Sequence, residues 1–131
     1  MSAVLPQVDD LNRPFWDGCA AGELRLQRCA GCGRLRYPIS TVCPACLSTE
    51  SAWEAVSGRG TVYSFAVFRH AYGNAWAERV PYDVALVQLE EGPFLLSNVV
   101  GVPVAELRVG LPVTVVFEDE EGVAIPRFRP A

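Results

Sequence analysis

The chain has 131 residues, half of them apolar and a fifth charged, which predicts a folded domain with an apolar core and excludes a disordered segment. Its formal net charge of -4 disfavours general binding to nucleic-acid backbones. No apolar run approaches the roughly 20 residues that span a bilayer, and the N-terminus lacks the basic start and apolar stretch of a signal peptide, so we expect a cytoplasmic protein.

Residues 1–23 predict a short helical segment. Asn12 is the expected N-cap, because it directly precedes an Arg-Pro pair that suits a first helical turn. Gly22 is the expected stop. Phe15 and Trp16 are expected on the buried side of this helix.

Cys19 lies on the same helix. A nucleophilic or redox role would need a basic neighbour to lower the thiol pKa, and no His, Lys or Arg lies within helical reach. We therefore interpret Cys19 as a small buried apolar residue.

Residues 24–52 predict a metal-binding ribbon. Apolar and polar residues alternate over 23–28 and 34–37, which predicts two strands with their arginines outward. The side chains expected inward are Leu24, Leu26, Leu35 and Tyr37.

Two Cys-x-x-Cys pairs mark this ribbon: Cys29 with Cys32, and Cys43 with Cys46. Four thiolates can hold one tetrahedral ion, and zinc is the usual occupant of such a closed, structural site. The alternatives are two disulfides, which need an oxidising compartment, a redox motif, which needs a βαβ setting, and an iron–sulfur cluster, which thiolates alone do not exclude.

The ribbon is also a basic island, because residues 24–46 carry four arginines and no acid. The arginines are Arg25, Arg28, Arg34 and Arg36. They either balance the dianionic zinc–thiolate centre or bind a phosphorylated ligand or an acidic partner, and the sequence leaves both interpretations open.

Residues 53–131 predict an all-β domain. Strands are expected at 53–56 leading into 60–70, and at 82–89, 94–100, 112–118 and 123–128. A single helical turn is expected at 103–107. Five strands with a helical turn between the third and fourth are typical of a Greek-key barrel of the OB type.

The connection between the first two barrel strands, residues 69–79, is long for a hairpin and rich in aromatic and arginine residues. Such loops on a rigid barrel are typical binding surfaces. The candidate ligand or partner contacts are Arg69, His70, Tyr72, Trp76 and Arg79. Alternatively, the two aromatic residues fold back as a lid on the barrel.

No catalytic device is predicted. His70 is the single histidine, which leaves little scope for a Ser-His or Cys-His pair, and the chain has no glycine-rich phosphate loop. Single-stranded nucleic acid is an alternative ligand, because OB folds and zinc ribbons often bind it. The expected middle strands of the barrel, however, contain no arginine or lysine.

Over nearly its whole length the chain resembles a family of small proteins with an N-terminal helical segment, a rubredoxin-like zinc ribbon and a C-terminal OB fold. The resemblance is carried by Phe15-Trp16, residues 22–33, Tyr37-Pro38, residues 43–46, Trp53, residues 57–63, Pro81-Tyr82, residues 89–92, Val109-Gly110 and residues 126–130.

Members of that family accompany thiolase-like enzymes, including lipid-transfer-type thiolases and aldolases, and some are fused or bound to hotdog-fold enoyl-CoA hydratases. The resemblance implies a non-catalytic accessory subunit of an acyl-CoA enzyme, for example in lipid or steroid side-chain metabolism, with one structural Zn²⁺ and contact with acyl-CoA. Only the four paired cysteines match its metal motif residue by residue. The arginines and loop residues named above are candidates on physical grounds.

Overall fold

The computed structural model describes residues 5–69 and 80–131. Within these ranges it contains one α-helix, eight strands in two sheets and a short 3₁₀ turn at Val104–Glu106. The helix is α1 (Arg13–Ala20), and the strands are β1 (Leu24–Cys29), β2 (Leu35–Arg36), β3 (Ser51–Val56), β4 (Arg59–Phe68), β5 (Tyr82–Leu89), β6 (Phe94–Ser97), β7 (Pro112–Glu120) and β8 (Val123–Pro130). No helix in the described ranges is long and apolar enough to cross a membrane.

Helix α1 begins and ends close to where the sequence predicts. Asn12 occupies the N-cap position, but its side chain does not cap the helix; its Oδ1 accepts the Asp9 N–H at 2.8 Å, and the Asp9 carboxylate accepts the Asn12 N–H at 2.9 Å. Gly22 ends the segment with a φ of 82°, which glycine adopts without strain. Phe15 is buried, as expected, and Trp16 is half-buried.

The ribbon is a three-stranded antiparallel sheet in the order β2-β1-β3. β3 pairs with β1 from Leu24 opposite Val56 to Cys29 opposite Ser51. The expectation that residues 53–56 lead into the first barrel strand is therefore wrong. The chain turns between the two sheets at Gly58, which has a φ of 77°. The two sheets therefore separate at residues 57–58. The domain boundary that the sequence analysis places at residue 53 stays a prediction.

The second sheet has the order β6-β5-β4-β7-β8 and closes on itself through Phe128. The Phe128 N–H donates to the Asn98 carbonyl at 2.9 Å, and the Phe128 carbonyl accepts the Val100 N–H at 2.7 Å, beside a parallel bridge from Val99. With the 3₁₀ turn between its third and fourth strands, this five-stranded sheet confirms the predicted OB fold.

One apolar cluster joins the helix, the ribbon and the barrel. Phe15 of α1 and Leu24 and Leu26 of β1 lie in the same core as Val62 of β4 and Phe128 of β8. α1 contacts both β1 and β8. The ribbon and the barrel therefore share a single hydrophobic core, and neither buries its apolar face alone.

The expectation that the ribbon arginines point outward is wrong for Arg36, which is only 7% exposed. The segment after β2 folds back over this face. Gln27, opposite Arg36 in register, donates from its side chain to the Ser40 carbonyl at 3.0 Å and accepts the Ser40 N–H at 2.9 Å. Arg36 Nη2 donates to the same carbonyl at 3.0 Å, so alternation along β2 alone does not reveal its burial.

Candidate metal centre

The two cysteine pairs sit on matching turns. Cys29 ends β1, and its carbonyl accepts the Gly33 N–H at 2.9 Å; the Cys43 carbonyl likewise accepts the Leu47 N–H at 2.8 Å. Gly33 and Leu47 both have positive φ, 76° and 66°. The sequence signals the first turn through its glycine, but the leucine in the second gives no such signal, because a leucine rarely adopts this conformation.

All four sulfur atoms lie within 4.8 Å of one another. The Cys29 and Cys46 Sγ atoms are 3.5 Å apart, and those of Cys32 and Cys43 are 3.8 Å apart. A tetrahedral zinc site with Zn–S bonds of 2.3 Å separates its sulfur atoms by about 3.8 Å. The observed spacing fits that geometry, and the cysteines are free, which removes the disulfide interpretation.

Backbone N–H groups favour the thiolate form at two of these residues. The N–H of Cys32 lowers the pKa of the Cys29 thiol to about 6, and the N–H of Cys46 lowers the pKa of Cys43. At Cys46 the Ser48 N–H acts in the same direction, but the interaction with Cys29 and burial prevail and raise the pKa to about 11. Four thiolates at this spacing thus need a cation to offset their repulsion.

The site is a structural zinc centre. Cys29 and Cys43 are buried, whereas Cys32 and Cys46 are exposed. Four cysteine sulfurs complete a tetrahedral shell and leave no position open for water or substrate. The metal therefore ties the two turns together and takes no part in chemistry.

Cys19 is separate from this centre. It is buried in α1, and burial raises the pKa of its thiol to about 12. The thiol therefore stays protonated at neutral pH, in agreement with the apolar role expected for it.

Two of the ribbon arginines are held by carboxylates. Arg25 pairs with Glu23 at 2.8 Å. Arg28 makes a two-pronged contact with Glu54 at 2.9 and 2.6 Å and also donates to the Gly33 carbonyl at 2.7 Å. Sequence reasoning missed Glu54, because it lies on β3, the strand that was assigned to the barrel.

Arg34 is the ribbon arginine that remains exposed and forms no ion pair with any residue in the described ranges. It lines a groove of about 620 Å³ between the ribbon and the β5–β6 turn of the barrel. The other lining residues are Arg28, Gly33, Leu35, Glu91, Gly92 and Pro93. A guanidinium in such a position is able to bind a phosphate through paired N–H groups.

The predicted loop contacts fall largely outside the described residues. Arg69 is exposed directly after β4. The other four candidates lie outside the described ranges, and their roles stay predictions: His70, Tyr72, Trp76 and Arg79.

A polar cleft of about 280 Å³ lies at one end of the barrel, and sequence reasoning missed it. Arg127 donates to Glu118 and to Glu120, both at 2.9 Å, and to the Asn98 side chain. Burial raises the pKa of Asp83, although the Val99 N–H acts against that rise. The sequence did contain one signal for this cleft. Buried positions alternate along the apolar strand β5, and Asp83 is an acid at one of these inward positions.

Comparison with known proteins places both halves of the chain in one family. A family model described as the ChsH2 rubredoxin-like zinc ribbon domain matches residues 16–52. A second, the ChsH2 C-terminal OB-fold domain, matches residues 53–118.

Two curated relatives are hydratase subunits. The chain is 36% identical over 129 residues to a probable enoyl-CoA hydratase alpha subunit of Thermomonospora curvata, covering 96% of this chain and 39% of the relative. It is 40% identical over 105 residues to the 3-oxo-4,17-pregnadiene-20-carboxyl-CoA hydratase alpha subunit of Mycobacterium tuberculosis, covering 80% and 33%. The chain thus spans only about a third to two fifths of the length of these relatives.

A solved structure matches nearly the whole chain. A chain of the Ltp2-ChsH2(DUF35) aldolase superimposes with a TM-score of 0.87 at 34% sequence identity, covering 96% of this chain and 98% of that one. The ribbon, the barrel and their arrangement are therefore common to both proteins.

Proposed function

Because the chain belongs to the ChsH2 family of zinc-ribbon and OB-fold proteins, we propose that it is a non-catalytic accessory subunit of an enzyme that acts on acyl-CoA. The observation that carries the proposal is the full-length likeness to the ChsH2(DUF35) chain of an aldolase. The hydratase alpha subunits among its relatives point to the same class of thioester substrate.

The chemistry of the described residues supports a non-catalytic role. The zinc centre is closed, and the Cys19 thiol is buried with a raised pKa. Arg127 is engaged by two glutamates and an asparagine, so its guanidinium has little capacity left for a substrate. In this proposal the partner supplies the nucleophile or base, and this chain completes or stabilises that partner.

We further propose that the partner is a thiolase-like enzyme, such as a lipid-transfer-type thiolase or a retro-aldolase of lipid or steroid side-chain metabolism, with a hotdog-fold hydratase as a second associate. A cytoplasmic location belongs to the same proposal, because reducing compartments keep zinc-binding thiols from forming disulfides.

Contact with acyl-CoA is the finer part of the proposal, and Arg34 is the residue best placed for it. It is exposed, free of carboxylate partners in the described part of the chain, and lines the groove between ribbon and barrel. Arg25 and Arg28 are less suited, because Glu23 and Glu54 already engage their guanidinium groups.

The test is recovery of the tagged chain from its native cells without nuclease treatment, followed by mass spectrometry of the accompanying proteins and a nuclease-sensitive stain for nucleic acid. An aldolase, thiolase or hydratase in fixed ratio is the expected result. Recovery of the chain alone, or with nucleic acid, would overturn the accessory-subunit proposal and favour a stand-alone binding module for acyl-CoA or single-stranded nucleic acid.

The CoA contact is tested separately on the recovered complex. Arg34→Ala is expected to weaken acyl-CoA binding, measured by calorimetry, about tenfold or more. Arg108→Ala is the matched control, because Arg108 is also exposed but lies between the 3₁₀ turn and β7. Equal affinities for the two variants would remove Arg34 from the binding site.

A further inference from the structure

Three apolar side chains are exposed together on the outer surface of the barrel. Tyr63 on β4 is 57% exposed, and Phe94 and Leu96 on β6 are 37% and 63% exposed. The rings of Tyr63 and Phe94 meet edge to face, with centroids 5.0 Å apart and an interplanar angle of 76°. Large apolar side chains usually occupy the core, so this grouping needs an explanation.

Strand register places these residues on one face. Along β5 the residues alternate, with Ala85 and Val87 buried and Leu86 half-buried on the outer side. Leu86 lies opposite Ser64 of β4 and Leu96 of β6. We call this outer surface of β4, β5 and β6 the outer barrel face.

A bulge in β4 places two consecutive side chains, those of Tyr63 and Ser64, on this face. The pairing of β4 with β5 shifts register between Val62 and Ser64, so Tyr63 is the extra residue. Val62 is buried in the core while Tyr63 beside it is exposed. Ser64 is exposed as well and lies opposite Leu86, so the bulge widens the outer barrel face by one residue of β4.

The centre of the outer barrel face, around Tyr63, Phe94 and Leu96, carries no charge; Arg59 at the start of β4 pairs with Glu90. The described side chains of this centre are hydroxyl, amide, aromatic or aliphatic, and the nearest arginines and glutamates lie at the ends of the strands. A surface for nucleic acid needs arginine or lysine to neutralise phosphates. An uncharged aromatic and aliphatic cluster instead fits the apolar centre of a protein–protein interface.

The size of the cluster argues against a second copy of the chain as its occupant. Its three most exposed side chains present on the order of 300 Å² of surface. Two such clusters in contact would bury about half of the 1,200 Å² that the smallest stable interfaces need. A larger partner that extends beyond the cluster suits it better.

The surroundings of the cluster indicate where that partner extends. Phe94 directly follows Pro93, which lines the groove that also contains Arg34. A protein seated on the outer barrel face would therefore border this groove and close one side of it.

We infer that the outer barrel face is the docking surface for the catalytic subunit, with Tyr63, Phe94 and Leu96 as its apolar anchors. This inference rests on the accessory-subunit role proposed above. It adds the surface that the partner occupies and predicts an apolar, uncharged patch on the partner.

The experiment compares Leu96→Glu with Val109→Glu in the full chain. Val109 is the matched control, because it is 64% exposed and apolar but lies outside the outer barrel face. Both tagged variants are recovered from native cells alongside the wild-type chain, and the amount of co-purified acyl-CoA enzyme is measured. Zinc content and far-ultraviolet circular dichroism check that each variant folds; if Leu96→Glu does not, Tyr63→Ser replaces it.

The expected result is at least a tenfold loss of the partner with Leu96→Glu and wild-type recovery with Val109→Glu. Equal recovery with both variants would overturn the docking surface and leave the accessory role intact. If the wild-type chain itself recovers no acyl-CoA enzyme, both the role and the inference fail. A concentration-dependent dimer of the purified chain that Leu96→Glu abolishes would assign the face to a second copy and overturn the inference.

Discussion

The carboxylate of Asp83 accepts the backbone N–H of Val99 at 2.8 Å, and both residues are buried. This bond fixes the segment after β6 against β5 at the place where the barrel closes. Asp83→Ala leaves that N–H unsatisfied, so we expect a loss of about 2 kcal/mol in the free energy of unfolding. Urea denaturation followed by tryptophan fluorescence measures it.

Asp83→Asn is the control for this prediction, because its amide oxygen is still able to accept the Val99 N–H. We expect a smaller loss than for Asp83→Ala. Equal losses for the two variants would show that the charge matters more than the hydrogen bond.

The thiol of Cys19 is expected to be inert in the folded protein. With a pKa of about 12, it is thiolate in only about one molecule in 10,000 at pH 8. Cys19→Ser should therefore leave the rate and extent of labelling by a disulfide reagent unchanged under native conditions. In guanidinium with a chelator, the wild-type chain should label at all five of its thiols and Cys19→Ser at one thiol fewer. A slower reaction of Cys19→Ser than of wild type under native conditions would contradict the prediction.

Zinc retention should depend on pH with a defined sign. The pKa of Cys29 in the fold is about 6, below the 8.5 or so of a free thiol. Its contribution to stability is thus fully present above the pKa of the unfolded thiol and is lost as the pH falls through the folded value. Because protons compete with zinc for the thiolates, we expect zinc to be retained at pH 7–8 and lost progressively as the pH falls into the acidic range, as measured by metal analysis after dialysis.

A pH-independent zinc content between pH 5 and 8 would contradict this expectation. Replacement of Cys43, whose pKa is also lowered, with serine should shift the release to higher pH. Cys19→Ser is the matched control and should not shift it.

Arg36 is expected to contribute little to stability despite its burial. Its Nε and Nη1 atoms are buried and have no hydrogen-bond partner among the described residues, so the guanidinium is desolvated for one bond to the Ser40 carbonyl. Replacement of a poorly compensated buried charge by an apolar residue of similar length is often neutral or stabilising. The free energy of unfolding of Arg36→Met should therefore lie within about 1 kcal/mol of the wild-type value or exceed it.

Arg36→Ala is the contrast, since it removes the same charge but leaves a cavity and should lose about 2 kcal/mol. A large loss with Arg36→Met would show that the charge itself is compensated in the folded state. Thermal denaturation of the zinc-loaded protein distinguishes these results.

Gly60 is expected to tolerate no side chain. A Cβ at this position would lie 2.4 Å from the Gln88 carbonyl oxygen of the neighbouring strand. The backbone of that strand has little room to move, because it is paired with β4. Gly60→Ala should destabilise the barrel by about 2–4 kcal/mol. At Gly110 no atom of the described residues other than its chain neighbours lies within 4 Å of such a Cβ, although φ is 89°, so Gly110→Ala should lose only about 1 kcal/mol.

The metal centre could be predicted from the sequence because its signal is local: two Cys-x-x-Cys turns carry it, whatever surrounds them. The barrel strands were predictable for the same reason, through alternation and turn residues. Pairing between distant segments was not. The position of β3 beside β1, and with it the Arg28–Glu54 contact, requires the chain to bend at Gly58 after β3, so that β3 stays with the ribbon and only β4 enters the barrel.

Side-chain partners from several segments were equally hidden. Arg127 meets Glu118 and Glu120 on the adjacent strand and Asn98 on the closing segment. Each residue alone has the pattern of an ordinary surface position, and only the closed barrel brings them together. Arg36 escaped prediction because a loop, not a strand, covers it.

The pairing of β3 with β1 has a consequence for how this kind of protein can be rearranged in evolution. A cut at the end of the cysteine segment, after residue 52, would strip most of one partner strand from β1 and split the shared core. A ribbon transplanted without the barrel would therefore lose strand pairing on β1 and its share of the common core. Consistent with this, the match to the much longer probable enoyl-CoA hydratase alpha subunit of Thermomonospora curvata covers 96% of the chain, so that helix, ribbon and barrel are matched together.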